Sequence, residues 1–253
     1  MGCPATQDAP TELGDLTLFF FSEFETGEDA YLADAIVNLE TGVLLGTDLE
    51  GARLDRQWAQ PILTDESLGG AVAPAEADPA LQVTVTVAGL SSHRVNTHAA
   101  GVLVPDQSQL EPSAPEHDRT FPSDTTCWTD GTCSRIDTQN RVKKANFLYT
   151  IVYDTEKDYR RVTLPDGRQA VIARTWNSEA ASGSEGVNSI DQNYATEVFI
   201  EDASDPSRTL RMMSIWTSVT LAAEPTDDLV RGTIGLGIDG LFNRHDDFYT
   251  ESE

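Results

Sequence analysis

Positive charge is what this chain has least of. Lysine occurs three times, at Lys143, Lys144 and Lys157, and the 17 lysines and arginines face 42 acidic residues, a net charge of −25. A surface so negative repels nucleic-acid phosphates and anionic headgroups, so DNA, RNA and polybasic membrane docking are excluded as partners. The same surface favours solubility, above all in salt that screens self-repulsion, and permits the reading of a structural acidic surface protein. Long apolar runs are also missing. The densest, "LTLFFF" from Leu16 to Phe21, is far short of the roughly 20 residues a membrane-spanning helix needs.

Cysteine is scarce and odd in number. Cys127 and Cys133 bracket "CWTDGTC", with the turn pair Asp130-Gly131 at its centre. C-x5-C without a second cysteine pair is the wrong spacing for zinc, so a disulfide across a short hairpin is expected. It would contribute on the order of 2 kcal/mol and implies an oxidising compartment. Cys3 is left over.

Catalytic motifs are absent as well. There is no G-x-S-x-G, "SGSEG" at 182–186 only approximating one, and no H-E-x-x-H or phosphate-cradling glycine loop. A G-x-G-x-x-G does occur at Gly235, Gly237 and Gly240, but with 13 residues after it no βαβ unit can follow. His93, His98 and His117, the last beside Asp118, can be drawn as a metal site, yet their spacing matches no helix face. No catalytic residue, metal or cofactor is therefore named, and the chain reads as a non-enzyme sooner than an enzyme. A metal-dependent or otherwise unrecognised envelope hydrolase is the alternative.

What is present is β pattern. Leu81 to Val87 ("LQVTVTV") alternates strictly, and strands are expected at 147–153, 159–164, 168–176, 196–201, 209–221 and 229–238. The turns "LPDGR" and "EDASDPSR" make consecutive strands antiparallel neighbours, a meander over about 146–240. In the last segment Val230, Ile234, Leu236 and Ile238 read as the apolar face of a strand bent by its glycines. Stretches 66–80 and 105–126 read as loops. One helix is expected from Gly27 to about Glu40, capped by Thr26, with Leu32, Ala35, Ile36 and Leu39 on one stripe and Gly42 at its end. The fold class is mainly β: an antiparallel curved sheet, open barrel or sandwich with one N-terminal helix.

Met212, Ser214 and Trp216 point to one side of their strand and Met213, Ile215 and Val219 to the other, so both faces should be covered. An apolar concave side could hold a lipid or another hydrophobic small molecule, with Arg160, Arg174, Trp176 or Trp216 near its mouth; the simpler reading is that these side chains fill the core. Nine of the 17 basic residues lie between Arg135 and Arg174 among five acidic ones, a local +4 against −29 elsewhere. That stretch either complements the acidic remainder internally or offers an anion-binding face.

The amino terminus, "MGCPAT", meets the myristoylation pattern at Met1, Gly2 and Thr6, with Cys3 as a second, palmitoylated anchor. It also resembles the junction of bacterial lipoproteins, in which a small residue precedes an acylated cysteine and a polar tether follows. The resemblance covers the first dozen residues. It implies acylation of Cys3 and, because Pro4 rather than an acidic residue comes next, the bacterial outer membrane, on its periplasmic or cell-surface face. An oxidising envelope also suits the disulfide. On this reading 1–14 is a lipid-anchored flexible tether, its 11 residues from Pro4 to Gly14 reaching about 36 Å when stretched. Residues 15–253 are a single β-rich domain whose partners are the membrane and a hydrophobic molecule or an envelope protein.

Overall fold

The computed structural model describes residues 8–51, 53–145, 150–183, 186–222 and 225–252. Among these residues nine strands form one antiparallel sheet: β1 (Gln57–Trp58), β2 (Val83–Ser91), β3 (Glu116–Thr120), β4 (Arg135–Ala145), β5 (Thr150–Thr163), β6 (Gln169–Trp176), β7 (Ala181–Ser182), β8 (Ser189–Glu201) and β9 (Thr209–Thr220). Their spatial order is β1-β2-β9-β8-β6-β5-β4-β3, with the short β7 added beside β8. From β5 to β9 the path is a meander, as expected for the strands between 147 and 221, and β4 extends it on the β5 side. The pair β2–β9 closes the other flank in the register Val85↔Ile215 and Val87↔Met213.

Period-two alternation gives this sheet two apolar faces. The even positions of β6, β8 and β9, among them Ile172, Val198 and Met212, pack against α1 (Leu13–Ser22) and α2 (Asp29–Gly42). Leu16 and Phe20 of α1 and Leu32, Ile36 and Leu39 of α2 are buried there, at the i, i+4 spacing that makes one helix face. The odd positions face a second layer. It consists of α3 (Val95–Gly101), α4 (Thr126–Thr129) and the long C-terminal helix α5 (Asp227–Ser252). Ile238 and Phe242 of α5 lie on Val85 and Val87. Close approach here requires glycine: a Cβ on Gly89 would stand 2.8 Å from the Phe242 ring, and one on Gly101 would stand 2.2 Å from the Tyr249 hydroxyl.

Several expectations are corrected. Segment 229–238, expected as a strand, is the first half of α5. Residues 230, 234 and 238 satisfy period two and period four alike, and Leu236, the one that separates them, is 60% exposed. Among the described residues five α-helices replace the one expected, so the fold is mixed, with about as much helix as strand. The expected helix starts at Asp29 with Glu28 before it, and Thr26 bonds Glu23 instead of capping. β3 lies inside 105–126, expected as a loop, and β4 in a stretch that shows no strand pattern, because inward His117, Arg119, Thr138 and Asn140 break the apolar alternation. Strand β5 runs unbroken through Asp154–Asp158, which the sequence pattern divides into two segments. At the other end Leu13 and Gly14 already belong to α1, and Asn38 Nδ2 donates to the carbonyls of Ala9 (3.3 Å) and Pro10 (2.8 Å), so Asp8–Gly14 is docked along α2. No helix among the described residues is long and apolar enough to cross a membrane.

Candidate functional site

The inward side chains of the sheet do not all reach those of α5. Between them lie two adjoining cavities of about 140 Å³ and about 220 Å³, which share Lys144, Tyr153, Asn193, Met213, Ile215 and Leu241 as walls. Arg119 of β3 and Tyr249 of α5 line the same space, so the sheet curls around the helix to enclose one chamber. Its larger lobe is mainly apolar, walled by Ile190, Val219 and Leu221 from the sheet side and Val230, Ile234 and Ile238 from α5, with Glu111, Lys144 and Asn193 where it meets the smaller one. Its smaller lobe is polar, because β3, β4 and β5 carry Arg119, Asn140 and Lys157 at inward positions while their outward neighbours, such as Asp154 and Glu156, stay exposed.

Charges in the polar lobe are mostly paired. Lys157 bonds the buried Glu197 and lies 5.2 Å from the Tyr159 ring centre. Lys144 bonds Glu111 and reaches Ser113 Oγ at 3.0 Å. Arg119 donates from Nε to Asn140 Oδ1 (2.8 Å) and from Nη1 to the Val102 carbonyl (2.8 Å). His117 Nδ1 lies 2.9 Å from the Glu111 carboxylate, and the ring is drawn both ways: burial and then Arg119 favour the neutral form, while the hydrogen bond with Asn140 and the charge of Asp118 favour the cation. Burial prevails and brings its pKa down to about 4.

Behind the lobe, α5 is tied to β2 and β9 by a buried relay. The two Nη atoms of Arg211 reach the two oxygens of Asp246, both at 3.1 Å, and Ser91 Oγ gives its single proton to Asp246 Oδ1 at 2.6 Å. His98 Nε2, 3.0 Å from Ser91 Oγ, must then be the donor, which leaves His98 Nδ1 a bare acceptor with no partner among the described residues. His245 Nδ1 is likewise buried and unpartnered among them, its ring 6.4 Å from that of His98. Burial, then Arg211, holds His98 well below the ordinary imidazole range and His245 at about 3, so both rings are neutral. Ser91, His98 and Asp246 have the composition of a hydrolase triad without its wiring: the carboxylate bonds the serine, and the imidazole donates to the hydroxyl rather than taking its proton.

The residues that the sequence offers for the mouth of a pocket lie on the opposite face. Arg160 clasps the turn between α1 and α2, donating to the Phe24 carbonyl (2.6 Å), the Gly27 carbonyl (2.8 Å) and Asp29 Oδ1 (2.6 Å). Arg174 binds Asp158, Glu25 and the Gly69 carbonyl between the rings of Phe24 and Trp176, each 4.9 Å away. Trp216 is buried against Phe21, its Nε1 donating to the Pro61 carbonyl at 2.8 Å. None of the four lines the chamber. Alternation sorts the strand positions correctly, but parity does not say which face the helices cover.

The basic stretch is satisfied internally. Arg135, Arg141, Lys143, Lys144, Lys157, Arg160, Arg168 and Arg174 each meet a carboxylate, and Arg161 lies 4.4 Å over the Trp128 ring. Cys127 and Cys133 are joined, Cα atoms 5.2 Å apart, between α4 and the start of β4. Gly235, Gly237 and Gly240 lie inside α5, not in a strand-to-helix loop. His93 rests against Asp246 and Thr250 of α5, apart from His117, and among the described residues no three His, Cys, Asp or Glu side chains converge as a metal site. Cys3 lies outside the described residues. Sequence reading misses Arg119, Glu197 and His245, and takes in Lys157 only as one of the basic stretch. The available signal is a lone charge inside an apolar strand, clearest for Glu197 in "YATEVFI".

No protein-family profile matches the chain, and no curated protein does. Solved structures do. A STAR-related lipid transfer protein fragment (residues 25–204) from Xanthomonas axonopodis is similar at 10% identity and a TM-score of 0.47, covering 66% of this chain and 85% of its own. A protein from Thermus thermophilus is similar at 11% identity and 0.48, covering 67% and 99%. A START superfamily protein from Mycobacterium smegmatis is similar at 13% identity and 0.44, covering 67% and 99%.

Proposed function

We propose that this chain is a binding protein that shelters an amphipathic small molecule between its curled sheet and α5, without transforming it. The observation that carries the reading is the chamber itself: a mainly apolar lobe, six of whose lining side chains are the aliphatic ones named above, continuous with a lobe richer in charged and polar groups. A void lined this way is poor accommodation for water and good accommodation for hydrocarbon. The neutral fluorophore N-phenyl-1-naphthylamine should brighten on binding with one site per chain. Ile234→Trp and Val219→Trp, which fill the apolar lobe from opposite walls, should each weaken it at least tenfold. A probe that fails to bind, or that binds the filled variants as tightly, rules the chamber out as a ligand site.

The address belongs to the same proposal and is supported by the sequence alone. An acylated Cys3 would hold the acidic domain at the bacterial outer membrane, in the oxidising envelope that a Cys127–Cys133 disulfide requires. Mass spectrometry of protein extracted from membranes should find Cys3 acylated, and Cys3→Ala should move the protein to the soluble fraction. An unmodified Cys3 thiol would end this part of the reading.

A further inference from the structure

Three cations and two carboxylates line the chamber: Arg119, Lys144 and Lys157 against Glu111 and Glu197. Lys157 is paired with Glu197 and Lys144 with Glu111. Arg119 is left with no carboxylate within ion-pair distance among the described residues. It is only 5% exposed, its hydrogen bonds go to a side-chain amide and a backbone carbonyl, and Nη2 bonds no described residue. The Tyr159 ring, 5.4 Å from the guanidinium, is its remaining support. A guanidinium does not escape burial by losing its proton, so it stands as a buried charge with no carboxylate beside it among the described residues, a costly arrangement unless a counter-charge arrives.

From this geometry we infer that the polar lobe is a subsite for a single negative charge, and that the ligand is a long-chain carboxylate whose head meets Arg119 while its chain fills the apolar lobe. The inference rests on the ligand-binding reading above and names the class of ligand. A carboxylate matches the guanidinium fork and restores neutrality with one charge. A phosphate monoester carries between one and two charges near neutral pH and overshoots it. The surroundings agree: burial first, and then neighbouring cations, disfavour added positive charge at His117, Lys144 and His245. A positive interior in a protein of net charge −25 is a local arrangement, not a reflection of composition.

Displacement of N-phenyl-1-naphthylamine from the full chain by a matched twelve-carbon series tests it at a pH where the acid is ionised. Dodecanoate should displace the probe at least tenfold more tightly than dodecanol, dodecyl phosphate should fall between them, and dodecylamine should be weakest. Arg119→Gln should erase the gap between acid and alcohol, and Arg119→Lys, which keeps the charge, should retain most of it. If Arg119→Gln does not fold by circular dichroism, the wild-type series and Arg119→Lys decide. An alcohol as tight as the acid, or a gap that survives in Arg119→Gln, overturns the anion subsite while leaving the chamber a ligand site. A phosphate at least as tight as the acid overturns the carboxylate assignment. A probe that never binds removes the chamber reading and this inference with it.

Discussion

At the scale of residues, most buried charge in this protein is structural. Glu40 of α2 is 2% exposed and bonds both Nη atoms of Arg168 at 2.7 Å, across the turn that ends β5. Removing one partner of such a pair strands the other, so Glu40→Ala should cost about 3 kcal/mol, read as a lowered urea midpoint with unchanged slope. Arg160 serves the α1–α2 turn, holding two of its carbonyls at once. Arg160→Ala should therefore lower stability by about 2 kcal/mol and leave probe affinity unchanged, the reverse of what a ligand residue would do. The disulfide is legible in "CWTDGTC" because a short loop and a turn pair nearly dictate its closure. Arg160 and Arg174 are legible as an arginine cluster but not as buried ones. A guanidinium in a strand reads the same whether it faces a ligand or two turn carbonyls that stand 133 and 136 positions away in the chain.

At the scale of elements, α5 closes the chamber, and its glycines are unusual for a helix with that task. They differ in surroundings. A Cβ on Gly232 or Gly240 would meet nothing within 4 Å, so Gly232→Ala and Gly240→Ala should each raise stability by about 0.5 to 1 kcal/mol through helix propensity. A Cβ on Gly235 would stand 3.1 Å from the Gln57 amide, so Gly235→Ala should forfeit that gain. Thermal unfolding of the three variants separates them. Equal behaviour of all three would show that the Gln57 side chain does not lie against Gly235. That α5 is a helix is hidden by an overlap of periods: residues 230, 234 and 238 satisfy both, and the acidic stretch beyond Gly240 resembles a tail. Its inward positions Phe242, His245 and Tyr249 continue the same stripe, a pattern that three large ring side chains at spacings of three and four could disclose.

At the scale of the whole molecule, the fold excludes protons that the unfolded chain accepts. His98 and His245 titrate near 6.5 when unfolded but are held neutral by burial in the fold, His245 down to about 3. Their folded pKa is depressed, so the unfolded chain binds more protons below about pH 6.5, and stability present above that pH is lost as pH falls. Asp158, raised to about 6 by burial against the pull of Arg174, acts in the opposite direction over part of the same window. The informative quantity is therefore a difference. His245→Asn should lose less of its urea midpoint than the wild type between about pH 7 and about pH 5 in screening salt. Equal losses would show that His245 is not neutral in the fold.

The chain's own order of residues is enough to establish an antiparallel meander, two covered faces, a helix over Leu32–Leu39, a disulfide loop and the partition of Met212 from Met213. Each follows from interactions between near neighbours along the chain or from side-chain parity, which need no knowledge of distant partners. Only the tertiary structure decided which parity meets α1 and α2 and which meets the chamber, that Leu229–Ile238 is helical, and that Arg119, of the chamber's cations, lacks a counter-charge among the described residues. Those outcomes depend on what stands opposite each face. In a sheet that curls around its last helix, the opposing groups come from distant parts of the chain, as Ser91 and Asp246 do at a separation of 155 residues.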